Sequence, residues 1–173
     1  MSGPVVVLVG PPGAGKSTVG GELAARLGIP LVDTDTEVES TTGRSISDIF
    51  VEDGEVAFRD LERAAVLRAL EDERPCVLAL GGGAVMQEEV SAALEAAQAP
   101  VVFLDVTIGD ASSRVGFDTS RPLLLVNPRA SWTRLMNARR PTYERLADHR
   151  VQTGGRTPAD VVAEVAERLG AGG

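Results

Sequence analysis

An α/β domain built on a parallel sheet is the fold class this sequence predicts, and three observations carry it. Five short apolar runs, at residues 4–9, 30–33, 76–80, 100–105 and 149–152, lack the alternation of a half-exposed strand and read as strands buried on both faces. Segments of helical periodicity separate them, the pattern of strand–helix–strand crossovers. A glycine-rich segment, Gly10-Pro11-Pro12-Gly13-Ala14-Gly15-Lys16-Ser17, stands between the first run and the first helical segment. With 173 residues, 43% of them hydrophobic, the chain suits one domain with a substantial core, and no repeat or linker divides 1–173.

The elements follow in order. The run 4–9 ends at Gly10, and a helix is predicted over 16–27. Its Gly20-Gly21 pair should weaken it locally by about 1 kcal/mol. The strand 30–33 leads into a helix over 35–42, for which Asp35 is a candidate cap. A long helix over 54–72 precedes the strand 76–80, and a helix over 87–97 precedes the strand 100–105, whose end at Asp105 mimics a Walker B strand. Helices over 109–115 and 130–147 bracket a connection, and the strand 149–152 is followed by a helix over 158–169. That last helix has Thr157 as cap, Pro158 in its first turn and Asp160 as favourable charge there.

The glycine-rich segment matches the pattern GxxxxGK[ST] in the strand–loop–helix context that the motif requires. Glycines at 10, 13 and 15 allow positive φ and bring backbone N–H groups close to phosphate oxygens, while the helix that follows adds its positive dipole end. Lys16 would reach the β and γ phosphates and Ser17 the accompanying magnesium. Lys16 is the only lysine in the chain, the other sixteen basic residues being arginine, so it does not belong to a general cationic surface.

Composition excludes several classes. A formal net charge of -8 argues against nucleic acid as the main partner. No apolar stretch approaches the roughly 20 residues of a membrane span and no signal peptide is recognisable, so a cytoplasmic protein with no membrane partner is expected. Cys76, the single cysteine, opens an apolar run and reads as a small buried residue, and His149 is likewise alone. Charge is nonetheless uneven. Nine arginines against three acids between Arg114 and Arg156 suggest a local site for small anions, with Arg134, Arg145 and Arg150 read as a solvated face.

Ligands of open α/β sheets sit beyond the carboxyl ends of the strands. That rim would gather the phosphate loop, Asp33 and Asp35 past the second strand, and Gly81-Gly82-Gly83 past the third. Asp33 and Asp35 could divide between magnesium-bound water and a substrate hydroxyl, or Asp35 could only cap its helix. The three glycines suit close approach of a ligand to backbone, or a tight turn. Two long excursions hang over the same edge: residues 34–75, read as an acceptor-binding region, and residues 116–129, read as a closing lid with Gly116 as hinge and Arg121-Pro122 near its tip. Trp132, the only tryptophan, follows that loop by about one helical turn and would report on it, its ordinary role being helix packing.

From about Val5 to Leu169 the chain resembles the shikimate kinase family, within the nucleoside-monophosphate-kinase-like group of P-loop folds. The resemblance runs through GPPGAGKST, the DTD of Asp33 to Asp35, TGRSISDIF at Thr42 to Phe50, GEVAFRDLE at Gly54 to Glu62, LGGGAV at Leu80 to Val85, RPLL at Arg121 to Leu124 and the RxPxY of Arg139 to Tyr143. It implies a three-layer P-loop kinase fold, a five-stranded parallel sheet of order 2-3-1-4-5 flanked by helices, with a mobile lid. The activity it implies is transfer of the γ-phosphoryl group of ATP to the 3-hydroxyl of shikimate, in the route through chorismate to aromatic amino acids.

Carried over by position, the resemblance implies catalytic roles for Lys16, Asp35 and Arg121. ATP would be bound by Gly13, Ala14, Gly15, Lys16, Ser17, Thr18, Arg114, Arg121 and Arg156, with Arg114 and Arg156 at the adenine end. Shikimate would be bound by Asp35, Arg59, Gly82 and Arg139, the two arginines taking its carboxylate. Magnesium would be held by Ser17 and, through water, Asp33. Glu62 would orient Arg59, the alternative being a solvent-facing acid. A monomer is expected. Ala138 stands where the family commonly has lysine, Phe117 makes the lid more apolar than usual, and Asp105 is treated as structural. The rival readings are a gluconate or nucleotide kinase, which paired arginines suit less well, and a nucleotide switch without an acceptor, which leaves those arginines without a task.

Overall fold

The computed structural model describes residues 3–115 and 127–170. Five parallel strands, β1 (Pro4–Val9), β2 (Leu31–Asp33), β3 (Cys76–Ala79), β4 (Val101–Asp105) and β5 (His149–Gln152), lie in the order β2-β3-β1-β4-β5. Eight α-helices occupy the described residues: α1 (Lys16–Leu27), α2 (Thr34–Thr42), α3 (Ile46–Asp53), α4 (Glu55–Glu71), α5 (Glu88–Ala96), α6 (Ile108–Val115), α7 (Pro128–Leu146) and α8 (Pro158–Arg168). Among the described residues a 3-10 turn spans Ala84–Met86.

The central strands are apolar without alternation because both faces are covered. Residues alternate sides along β1, so Leu8 and Val9 face opposite layers. Leu8 faces Gly20 of α1, while Phe103, in register with Val9, stacks on Tyr143 of α7 at 5.0 Å between centroids. Helices therefore flank the sheet on both sides, and β1, β3 and β4 are buried almost throughout. A second, smaller cluster of Val38, Ile49, Phe58 and Ala65 holds α2, α3 and α4 together over residues 34–75.

Three expectations are corrected. The helix after β2 is capped by Asp33, whose side chain accepts from the N–H groups of Asp35 and Thr36, so Asp35 lies inside the first turn and is not the cap. Helix α3 was not expected. Ser45 caps it by accepting from Asp48 N–H, and Gly43 (φ 68°) and Gly54 (φ 90°) break the chain on either side. Gly20 is a packing residue as well as a weak helix former: a Cβ there would stand 2.9 Å from Leu31 Cδ1 and 3.3 Å from Leu8 Cδ1. The expected cap of α8 is present, with Thr157 accepting from Asp160 N–H at 3.1 Å. Of the proposed lid, residues 116–126, with Gly116, Phe117 and Arg121, lie outside the described residues, and 127–129 are the cap and first two residues of α7.

The two glycines of α1 should therefore respond differently. A Cβ at Gly21 meets only Leu31 Cδ2 at 4.0 Å. Gly21→Ala is expected to gain about 1 kcal/mol and raise the melting temperature by about 2–4 °C. Gly20→Ala, crowded by two leucines, should show no such rise. Equal gains in thermal melts of the two variants would remove the packing role of Gly20.

Candidate active site

The phosphate loop leaves β1 at Gly10, whose backbone approaches Leu104 so closely that a Cβ would stand 2.5 Å from its carbonyl oxygen. Beyond it the loop's carbonyl groups are engaged by side chains. Lys16 Nζ donates to Gly10 O at 2.5 Å and Pro11 O at 3.1 Å, Trp132 Nε1 donates to Pro12 O at 2.9 Å, and Arg114 Nη1 donates to Gly13 O at 3.0 Å and Ala14 O at 3.3 Å. The loop and the N-terminus of α1 line a cavity of about 520 Å³, the kind of place where backbone N–H groups receive an anion. Gly13, Ala14, Gly15, Lys16, Ser17 and Thr18 all line it, as do Asp33, Asp35, Gly82, Arg114 and Arg156.

At the rim, Ser17 Oγ donates to Asp33 Oδ2 while Asp33 Oδ1 accepts from Asp35 N at 2.9 Å. One carboxylate thus links the phosphate loop to the start of α2. A hydroxyl and a carboxylate beside a phosphate cradle fit magnesium, which takes hard oxygen ligands, uses few protein groups and keeps several waters. No cluster of three or more acidic, histidine or cysteine side chains able to hold a metal by themselves occurs among the described residues.

The second half of the site is built over the three glycines. A Cβ at Gly81 would stand 2.7 Å from Glu62 Oε2 and 2.8 Å from Asp35 Oδ1. One at Gly82 would stand 3.0 Å from Arg139 Nη1 and 3.3 Å from Pro12 Cδ. At Gly83 the same construction meets Arg59 Nη2 at 2.7 Å and Arg139 Nη2 at 2.8 Å. Four charged side chains from α2, α4 and α7 therefore converge on a strip where no side chain fits. The two arginines bring planar forks to one point, the geometry that binds a carboxylate by two parallel hydrogen bonds.

Supporting contacts fix these charges. Glu62 is 1% exposed and accepts from Arg59 Nη1 at 2.7 Å and from Gln87 Nε2 at 3.1 Å, so it is not the solvent-facing acid that its helical position also allowed. Burial pushes its carboxyl pKa up, against the pull of Arg59 and Arg139. Tyr143, fully buried, donates to Gly82 O at 2.6 Å, and burial pushes its hydroxyl up to about 12. It stays a neutral donor at physiological pH.

At the other end of the cavity Arg114 reaches Thr153 by its Nη1 (3.0 Å to Oγ1) and Nη2 (2.6 Å to the carbonyl oxygen). Arg156 donates to Gln152 O at 2.8 Å and pairs with Glu164 at 2.7 Å. Asp105 is structural, as expected: Arg140 engages both its oxygens at 2.9 and 3.0 Å, and Gln152 adds a third contact. Sequence reasoning missed Trp132, Thr153, Tyr143 and Gln87 as site residues. Thr153 could have been found by extending the strand-end rule to β5. The other three act on backbone or on buried charge, which no local pattern announces. Arg121 lies outside the described residues.

A family model for shikimate kinase matches residues 12–170. The shikimate kinase of Thermobifida fusca is 51% identical over 172 residues, covering 99% of this chain and 98% of that protein. That of Salinispora arenicola is 52% identical, covering 97% and 99%. Among solved structures, shikimate kinase from Acinetobacter baumannii in complex with shikimate superposes with a TM-score of 0.92 at 34% identity, covering 98% of this chain and 93% of that one. A gluconokinase from Sinorhizobium meliloti, at 18% identity and a TM-score of 0.61, shares the fold alone.

The buried carboxyl of Glu62 gives a pH signature. Its folded pKa lies above its unfolded one, so its contribution to stability is fully present below the unfolded value and is lost as pH rises through the folded value. The melting temperature of the wild type relative to Glu62→Gln should therefore fall as pH rises from the ordinary carboxylate range through the raised folded value. A difference that rises over that range would mean the carboxylate is stabilised in its charged form instead.

Proposed function

The chain belongs to the shikimate kinase family, and on that premise we propose how its residues divide the work of phosphorylating shikimate with ATP. ATP lies along the 520 Å³ cavity, its phosphates on the N–H groups of Gly13 to Thr18 and its adenine toward Arg114 and Arg156. Shikimate lies over Gly81 to Gly83, its carboxylate in the two forks of Arg59 and Arg139. The observation that carries this reading is the convergence of both guanidiniums within 2.8 Å of one point above Gly83, on the same glycine strip that Asp35 approaches at Gly81, a carboxylate that also borders the phosphate cavity.

Phosphoryl transfer needs alignment and charge neutralisation more than covalent help from the protein. Asp35 orients the 3-hydroxyl and accepts its proton, while the hydroxyl oxygen bonds to the γ phosphorus as the bond to the β-phosphate oxygen breaks and ADP leaves. Gly82 donates its N–H to the substrate, and Tyr143 holds that peptide by its carbonyl. Lys16 moves from the loop carbonyls to the β and γ phosphates, and Arg121, from the 116–129 lid, adds positive charge there. Ser17 and, through water, Asp33 would hold magnesium, which neutralises phosphate charge when bound. Residues 34–75 form the acceptor-binding region. A monomer remains our reading, and the net charge of -8 supports the absence of a nucleic-acid partner. Among the described residues no helix is long and apolar enough to cross a membrane. A cytoplasmic enzyme remains our reading.

ADP release that depends on shikimate tests the function directly. ADP release that ignores shikimate, or that follows gluconate or a nucleoside monophosphate in its place, would overturn it. Lys16→Ala should lose at least about a hundredfold in turnover, as removal of a transition-state charge does, while unfolding cooperatively near the wild-type temperature.

Arg59→Lys keeps the charge and loses the fork. It should raise the Michaelis constant for shikimate about tenfold and leave that for ATP within about twofold, a loss the size of one charge-assisted hydrogen bond. A change confined to ATP would place Arg59 in the nucleotide site instead.

A further inference from the structure

Trp132 is the only tryptophan, and its contact is not one that helix packing requires. The residue is 4% exposed in the first turns of α7, yet its indole N–H reaches a backbone carbonyl 120 positions earlier in the chain, Pro12 O, at 2.9 Å. A trans peptide is planar, with its C=O and N–H antiparallel, and no cis bond occurs among the described residues. Fixing the Pro12 carbonyl therefore fixes the direction of the Gly13 N–H across the same plane. Arg114 does the same for the next two planes through Gly13 O and Ala14 O, and of the N–H groups these set, that of Ala14 is already spent on Pro11 O at 3.2 Å. The Gly13 and Gly15 N–H groups are left for an anion, and the Gly13 one is set by the indole.

We propose that Trp132 is a positioning residue of the nucleotide site: its indole N–H locks the Pro12–Gly13 peptide so that the Gly13 N–H points at a nucleotide phosphate. This rests on the reading that the loop binds the phosphates of ATP. Pro11 and Pro12 carry no N–H groups, so the loop lacks the backbone donors that would otherwise brace its first half. A donor from α7 supplies the brace. The same helix carries Arg139 two turns on, so the brace is anchored in the rigid element that also presents an acceptor-site arginine.

The test uses the full chain in two measurements. The lone indole gives one N–H resonance, which should shift on saturation with magnesium-free ADP together with the Gly13 and Gly15 amides, and should move less with shikimate alone. In Trp132→Phe the ring's burial is kept and the donor removed. The Michaelis constant for ATP should rise about fivefold, the equivalent of about 1 kcal/mol, with that for shikimate within about twofold. Loop amides that respond to ADP while the indole does not, or a Phe variant with an unchanged constant for ATP, overturns the proposal and leaves the nucleotide site standing. Loop amides that ignore ADP overturn the nucleotide site itself. If the Phe variant does not fold, the wild-type indole resonance decides alone.

Discussion

The half of the candidate site that gathers Asp35, Arg59, Glu62 and Arg139 depends on close approach to bare backbone at Gly81 to Gly83. Two oxygens, from Glu62 and Asp35, and the guanidiniums of Arg59 and Arg139 all stand where a Cβ would be, at 2.7 to 3.0 Å. A methyl group at Gly83 would push two charged forks out of the position where they meet, and one at Gly81 would separate the acid of α2 from the acid of α4. Gly82 adds the link to the nucleotide half, since Pro12 lies 3.3 Å from its would-be Cβ and Tyr143 holds its carbonyl. Glycine is costly in chain entropy, and the cost is recovered only in a site where charged groups must come together over the main chain.

Helix α7 is the beam that makes this possible. Its buried face carries Trp132, Met136, Arg139 and Tyr143, spaced at helical intervals. Trp132 reaches the phosphate loop, Arg139 the acceptor strip, Tyr143 the Gly82 carbonyl and the ring of Phe103. Arg140, next to this face, is fastened to Asp105 at the end of β4 and lies over the same Phe103 ring. The glycine-rich loop, Arg139 and the central sheet are therefore held in fixed relation by one rigid element. Phosphoryl transfer is mainly a problem of alignment, so this rigidity bears directly on the chemistry.

Local sequence reading succeeded wherever the physics was local. The five strands are apolar runs because the sheet is covered on both sides, and the phosphate-loop motif is a contiguous stretch of glycines and one lysine. The one helix missed, α3, is eight residues long and shares its segment with α2 and α4, so its periodicity is too short to stand out from theirs. Its signals were a Ser45 cap with Asp48 in the first turn and a glycine on each side. Asp33 and Asp35 could not be sorted from sequence, because both sit where a cap can form and only the backbone decides which carboxylate turns toward the N–H groups.

By itself the sequence determined the fold class, the sheet edge that carries the candidate site, the phosphate-loop motif and, by resemblance, the two arginines that the structure brings together over Gly83. These are properties of periodicity and of contiguous motifs, and the motifs kept their spacing. Only the tertiary structure decided that Glu62 is buried under Arg59, that Tyr143 and Trp132 hold backbone carbonyls, and that Asp105 belongs to an ion pair. Each of these is a contact between residues far apart in the chain, or a matter of which side of a helix meets the core. A hydrogen bond from an indole to a carbonyl 120 positions away leaves no trace in the residues around either partner.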